Sequence, residues 1–178
     1  MGLLHRIFGE KEKEQCREYD KRIVCEKLTV YSPMEGSVIP LKDVEDPVFS
    51  EGIMGGGAGI VPEADLVYAP VDGVVAAVFP TGHAIGIQTD DGMEVLIHIG
   101  INTVELEGKG FKAFVKEGDC IKAGELLIEF DRKWIQEQGY PVTVVVLVSN
   151  GTALGKMTDP ISGHVKPLDV LYSFQVNA

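Results

Sequence analysis

The sequence contains no apolar run approaching the roughly 18 residues that a membrane-spanning helix needs, which excludes a helical span. Its first residues, Met1-Gly-Leu-Leu-His-Arg-Ile-Phe8, hold too short an apolar stretch for a secretory leader and no cleavage site. Cysteine is scarce: Cys16, Cys25 and Cys120 are an odd number without metal-type spacing. They read as reduced thiols rather than a disulfide framework. Basic charge is also in deficit, with 16 Lys and Arg against 27 Asp and Glu, a net charge of −11. Such a chain repels phosphate backbones, so nucleic acid is excluded as a partner, while a basic protein is a suitable one. A cytoplasmic location is the expectation. Long helical periodicity is lacking too. One short helix is predicted over residues 132–138, with Asp131 to cap its start and Gly139 to end it.

The chain offers instead 21 glycines and 9 prolines that divide short apolar runs, within 178 residues of which 45% are hydrophobic. That pattern predicts many strands and turns around one core. Strands are expected at residues 28–31, 36–40, 59–62, 66–69, 73–79, 83–88, 93–99, 126–129, 143–148 and 164–167. A repeated frame, Pro-x-x-Gly-x-Val, begins at Pro33, Pro70 and Pro160. Proline sets a turn, glycine permits it, and a β-branched residue follows in a strand. The repeat predicts a duplicated β architecture. Residues 1–22 form a separate tail with six basic and five acidic residues, about +1, which leaves −12 on residues 23–178. Leu3, Leu4, Ile7 and Phe8 fall at helical spacing beside Arg6, Lys11 and Lys13. The tail is either an amphipathic helix for an anionic membrane surface or a charged, unstructured extension.

Of the four histidines, His5 and His164 read as surface residues, whereas His83 and His98 lie on the two arms of one hairpin. Asp91-Gly92 is the strongest two-residue turn signal in the chain. If those two residues make the turn, facing residues have numbers that sum to 183. His83 and His98 are then diagonal neighbours on one sheet face, with Ile85, Ile87 and Leu96 beside them. Met93, Val95, Ile97 and Ile99 fall on the opposite, core face. A three-residue loop would put the histidines on opposite faces. Apposed imidazoles suit nucleophilic phosphoryl transfer, with one ring attacking phosphorus and the other donating to phosphoryl oxygens. They equally suit zinc ligation with further ligands, or plain packing.

The stretch Gly92-Met-Glu-Val-Leu-Ile-His-Ile-Gly-Ile-Asn-Thr-Val104, continued by Glu105-Leu-Glu-Gly-Lys-Gly-Phe111, closely resembles the phosphohistidine signature of glucose-type enzyme IIA domains. These belong to the bacterial phosphoenolpyruvate-dependent sugar phosphotransferase system. Phe79-Pro-Thr-Gly-His-Ala-Ile85 matches the family's second histidine, and Asp46-Pro-Val-Phe49, Ala69-Pro-Val-Asp-Gly73, Glu117-Gly-Asp119 and Leu127-Ile-Glu-Phe-Asp131 match further segments. The resemblance covers about residues 28–175.

The resemblance implies an all-β, antiparallel sandwich, barrel-like, of Greek-key or jelly-roll character. It implies a phosphotransferase component in which His98 accepts phosphoryl from phospho-HPr through Nε2. His83 would steady the group, and Thr81 would orient His83. A cysteine of a sugar-specific IIB domain, alone or in a IIBC permease, would take the group onward. Val48, Phe49, Phe79, Ile85 and Leu96 match or neighbour the docking patch, with Asp46 beside it to meet basic partner residues. No cofactor is required. His83 and His98 can also share a zinc ion with a carboxylate of a regulatory partner. The likeness of the tail to stand-alone members favours a peripheral contact with the membrane. Asn102 stands where members often carry Asp, and Gly151-Thr152 replaces an acidic position. A zinc peptidase is disfavoured because no His-x-His occurs and His98 is followed by Ile-Gly-Ile-Asn102. A biotinyl or lipoyl carrier is disfavoured because no Met-Lys-Met occurs and the one Asp-Lys pair, Asp20-Lys21, falls in the charged tail rather than between two predicted strands. The sugar is not legible.

Overall fold

The computed structural model describes residues 24–176. The tail read over residues 1–22 lies outside them. Fourteen strands run in order among the described residues: β1 Thr29–Tyr31, β2 Gly36–Pro40, β3 Gly56–Pro62, β4 Leu66–Tyr68, β5 Gly73–Val78, β6 Ala84–Gln88, β7 Glu94–Ile99, β8 Phe111–Ala113, β9 Cys120–Ile121, β10 Leu126–Phe130, β11 Val144–Val148, β12 Lys156–Met157, β13 Gly163–Val165 and β14 Val170–Gln175. Three short helices join them: α1 Pro47–Ser50, α2 Arg132–Glu137 and α3 Gly151–Leu154. All pairings are antiparallel. The large sheet has the order β13-β2-β3-β11-β7-β6-β5-β9, and two three-stranded sheets, β1-β14-β12 and β4-β10-β8, complete the fold. The all-β expectation stands. The barrel-like element of it does not, since the large sheet is open at β13 and β9 and closes no barrel.

Each copy of the Pro-x-x-Gly-x-Val frame opens a strand at its glycine: Gly36 starts β2, Gly73 starts β5 and Gly163 starts β13. Two copies interlock reciprocally, Tyr31 N–H donating to Pro70 O at 3.0 Å and Tyr68 N–H to Pro33 O at 2.7 Å. A Cβ on Gly36 would lie 2.4 Å from Val61 O, and one on Gly73 would lie 2.4 Å from Gln88 O. Both glycines are required by close approach of the neighbouring strand, which no side chain permits.

Strand β11 reads Val-Val-Val-Leu-Val and is buried throughout, as expected of a strand covered on both faces. Val144, Val146 and Val148 face the main core with Ile60, Ile97, Leu127, Phe130 and Tyr172. The Tyr172 hydroxyl donates to Val146 O at 3.0 Å, so this buried phenol is satisfied. Val145 and Leu147 face a second, smaller cluster with Val44, Phe49 and Ile101. The segment from the 3-10 turn Leu41–Asp43 through α1 forms its cover. Asp46 caps α1 by accepting from Val48 N–H at 2.9 Å, and Pro47 fits the first turn. Burial of the Phe49 ring stabilises this cover by about 1.5–3 kcal/mol.

Helix α2 is where the sequence put it, one residue shorter, with Asp131 accepting from Trp134 N–H at 2.9 Å and Gly139 at φ +90° beyond its end. Of the cysteines, Cys25 is a free thiol.

Candidate functional site

His98 is the fifth residue of β7, an alternating strand in which Val95, Ile97 and Ile99 are buried in the main core and Glu94, Leu96 and His98 are half-buried on the other face. Its ladder partners are Ala84 on β6 and Val145 on β11. The imidazole therefore stands beside the second apolar cluster. The Phe49 ring packs on it with centroids 4.9 Å apart.

The hairpin that carries the histidines departs from the expected register. Gln88 pairs with Glu94 and Ala84 with His98, so facing numbers sum to 182, and the loop has three residues, Asp90-Asp91-Gly92. Thr89 decides this. Its backbone N–H donates to Met93 O, its hydroxyl accepts from Met93 N–H at 2.9 Å and donates to the Asp91 carboxylate, and Gly92 takes φ +95°. That is a turn followed by a left-handed residue, the next commonest hairpin solution. As a result Ile85 and Ile87 face the main core, opposite Ile97 and Val95. Ile85 is fully buried, so the docking role expected of it is wrong.

The two histidines nonetheless meet, with ring centroids 4.9 Å apart. His83 precedes β6 and so escapes the strand's alternation. The chain turns at Gly82, φ +68°, with Gly82 N–H donating to Phe79 O at 2.7 Å, and the His83 carbonyl accepts from Ile99 N–H at 2.7 Å. Thr81, in the same turn, holds its hydroxyl 2.5 Å from His83 Nδ1. Phe79 and Phe111 flank the His83 ring at 5.7 Å and 6.5 Å.

His98 Nδ1–H donates to Gly100 O at 2.8 Å. A carbonyl can only accept, so this contact fixes the neutral ring with its lone pair on Nε2. Sequence reading missed Gly100. The turn that aims its carbonyl needs φ +75°, and a Cβ there would lie 2.4 Å from Thr103 Cγ2 and 2.9 Å from Pro141 O. Thr103, fully buried, braces the same turn by donating to Ile99 O at 2.5 Å. Asn102 sits in the turn at φ 58°, a conformation that asparagine adopts more readily than most residues.

Burial, and then the neighbouring His83, push the His98 pKa down from 6.5 to about 4, against upward pulls from the Gly100 hydrogen bond and from Asp46. Burial also lowers that of His83. Both rings are thus neutral at pH 7, and the lone pair of His98 stays on Nε2. Proton NMR titration of the ring C–H signals should place the His98 midpoint near 4 and that of His83 below 6.5. A midpoint at or above 6.5 for His98 would contradict this environment. Because the unfolded state binds protons that the folded state refuses, stability should fall as pH drops from 6.5 towards 4.

The other expected site residues divide. Val48 and Phe79, each 43% exposed, line the rim. Phe49 is buried and supports His98 from beneath, and Leu96 is half-buried against the second cluster. Asp46 serves α1 as its cap. Exposed Val104, just after the Gly100 turn, and half-buried Phe111 were not anticipated. Among the described residues, no acidic group, cysteine or further histidine joins His83 and His98 in a metal-sized cluster, so a metal there would need a partner's ligand.

Residues 28–154 match the family described as phosphoenolpyruvate-dependent sugar phosphotransferase system, EIIA 1. The chain is 44% identical to the glucose-specific EIIA component of Oceanobacillus iheyensis over 174 residues, 95% of this chain and 99% of that protein. It is 47% identical over 132 residues to the β-glucoside-specific EIIBCA component of Halalkalibacterium halodurans, covering 74% of this chain and about a fifth (21%) of that longer protein. The glucose permease IIA structure from Mycoplasma capricolum superposes with a TM-score of 0.77 at 36% identity, over 83% of this chain and 96% of that one.

Proposed function

Since the chain belongs to the EIIA 1 family of the phosphoenolpyruvate-dependent sugar phosphotransferase system, we propose that Nε2 of His98 is the atom that carries its phosphoryl group. The observation that carries this reading is the Nδ1–H bond to Gly100 O, which leaves the lone pair on Nε2. The proposed donor is the phosphohistidine of HPr. Nε2 attacks phosphorus in line, the donor's P–N bond breaks, and its electron pair returns to the donor imidazole. If the Thr81 hydroxyl donates to His83 Nδ1, the His83 proton sits on Nε2 and can bond a phosphoryl oxygen.

A IIB or IIBC domain is the onward partner, because longer relatives carry the matching EIIA segment in one chain with such domains. In the proposed second step a IIB cysteine thiolate attacks phosphorus and His98 leaves as a neutral ring. Exposed Val48 and Phe79 supply the apolar rim on which both partners dock. A cytoplasmic location goes with this reading. The imidazole pair can also hold zinc together with a regulatory partner's carboxylate, which a zinc-dependent pull-down would reveal.

Incubation with labelled phosphoenolpyruvate, enzyme I and HPr should give label that survives alkali and is lost in acid, the signature of phosphohistidine. No label, or acid-stable label, would end this reading. Transfer from the labelled protein to a panel of IIB domains then ranks the sugars.

A further inference from the structure

Glu35, Glu63 and His164 come together from three neighbouring strands at the other side of the large sheet. Glu35 precedes β2, Glu63 follows β3, and His164 lies in β13. The ladders set the convergence. Gly36 pairs with Pro62, His164 with Ser37, and Glu63 N–H donates to Glu35 O at 3.0 Å. Gly59, on β3, lies at the level of His98 across β11. Glu63 is four residues beyond, which strand geometry makes about 17 Å from the phosphoryl site.

His164 Nε2 lies 3.1 Å from Glu63 Oε2 and 3.4 Å from Glu35 Oε1, and the three ligand atoms all fall within 4.8 Å of one another. A ring nitrogen has one proton or one lone pair, so it cannot satisfy two carboxylates at once. A cation between the three groups can. Metal–ligand bonds of about 2.0–2.2 Å in a tetrahedral site put ligand atoms about 3.4 Å apart, close to both separations from the ring. The two carboxylates also lack a basic counterpart: among the described residues their ion pairs are with His164 alone. Arg132, the nearby cation, spends its guanidinium on the Asp65 carboxylate and on the carbonyls of Pro62 and Glu63. Ser37 Oγ donates to the second oxygen of Glu63 at 3.4 Å, a contact of the kind that orients a ligating carboxylate.

We infer that Glu35, Glu63 and His164 form a binding site for a divalent ion of the zinc class, separate from the phosphoryl site. One nitrogen and two oxygens favour zinc or cobalt over magnesium and calcium, which take oxygen shells. All three residues are at least partly exposed, so water completes the coordination. The bound ion ties edge strand β13 to β2 and β3.

The test uses the full chain, stripped with chelator, in a background carrying His83→Ala and His98→Ala so that the imidazole pair cannot compete. Titration with Co2+ should develop the intense visible bands of four-coordinate cobalt at one ion per chain, and Zn2+ should displace them. His164→Ala should weaken binding at least about tenfold. Glu35→Gln combined with Glu63→Gln should do the same and keeps the imidazole should the first variant not fold. Absence of the bands, or affinity unchanged in either variant, would overturn the site and leave an ion-pair cluster only. Phosphoryl uptake measured separately with His83 and His98 intact should be the same in the His164→Ala chain, which keeps failure here distinct from failure of the carrier reading.

Discussion

Replacing His98 with alanine should reduce phosphoryl uptake from phospho-HPr to background, a fall of at least about a thousandfold. The variant lacks the proposed nucleophile, and His83 is poorly placed to substitute for it. His83 is only 5% exposed, its ring is flanked by Phe79 and Phe111, and Thr81 occupies its Nδ1. His98→Gln fills more of the space against Phe49 and should behave alike, separating loss of chemistry from loss of packing. Radiolabel from phosphoenolpyruvate, followed over time on gels kept away from acid, reads the result. Uptake at the normal rate in either variant would move the carrier to another residue.

His83→Gln should leave label accumulating on His98 but slow passage to a IIB domain by about 100–1,000-fold, the usual cost of removing one preorganised donor to a transition-state oxygen. The nucleophile survives in this variant, so its labelling still reaches an endpoint. What is lost, on the proposed reading in which the Thr81 hydroxyl donates to Nδ1, is the Nε2–H of His83. The glutamine amide reaches about as far, but it has no ring nitrogen for Thr81 to hold and so does not keep a donor aimed at the phosphoryl oxygen. Chase of labelled protein into unlabelled IIB domain measures the step. An unchanged chase rate would remove His83 from the chemistry and leave it as packing for His98.

The strands and the histidine pair were legible because local chemistry controls them. The Pro-x-x-Gly-x-Val frame marked the starts of β2, β5 and β13, and Asp131 and Gly139 bounded α2 almost to the residue. Strand β14, six residues long, passed unnoticed because its longer partner β1 lies far back in the chain and its nearer partner β12 has only two residues, too few to signal a hairpin. The hairpin register failed on a single side chain. Asp91-Gly92 satisfied the two-residue rule, but the Thr89 hydroxyl supplies both a donor and an acceptor to the loop and pulls in a third residue. That one-residue shift turned Ile85 and Ile87 inward. It did not separate the histidines, since His83 lies before the strand. The role of Gly100 was invisible for another reason. A carbonyl is common to every residue, and only the fold shows which one faces an imidazole.

Strand β7 is paired along its length, with β6 on one side and β11 on the other. Its amide protons should therefore exchange with solvent only through global unfolding. The proposed nucleophile stands on one of the least mobile parts of the molecule, and adjustment on docking falls to the partners. Nε2 of His98 is a single point of attachment, with Phe49 packed on its ring and His83 beside it. If His98 carries the phosphoryl group as proposed, two partners that reach it over the same rim of Val48 and Phe79 compete for one place. Exchange through this site should then follow double-displacement kinetics, in which an excess of either partner, by occupying the rim, inhibits the half-reaction of the other.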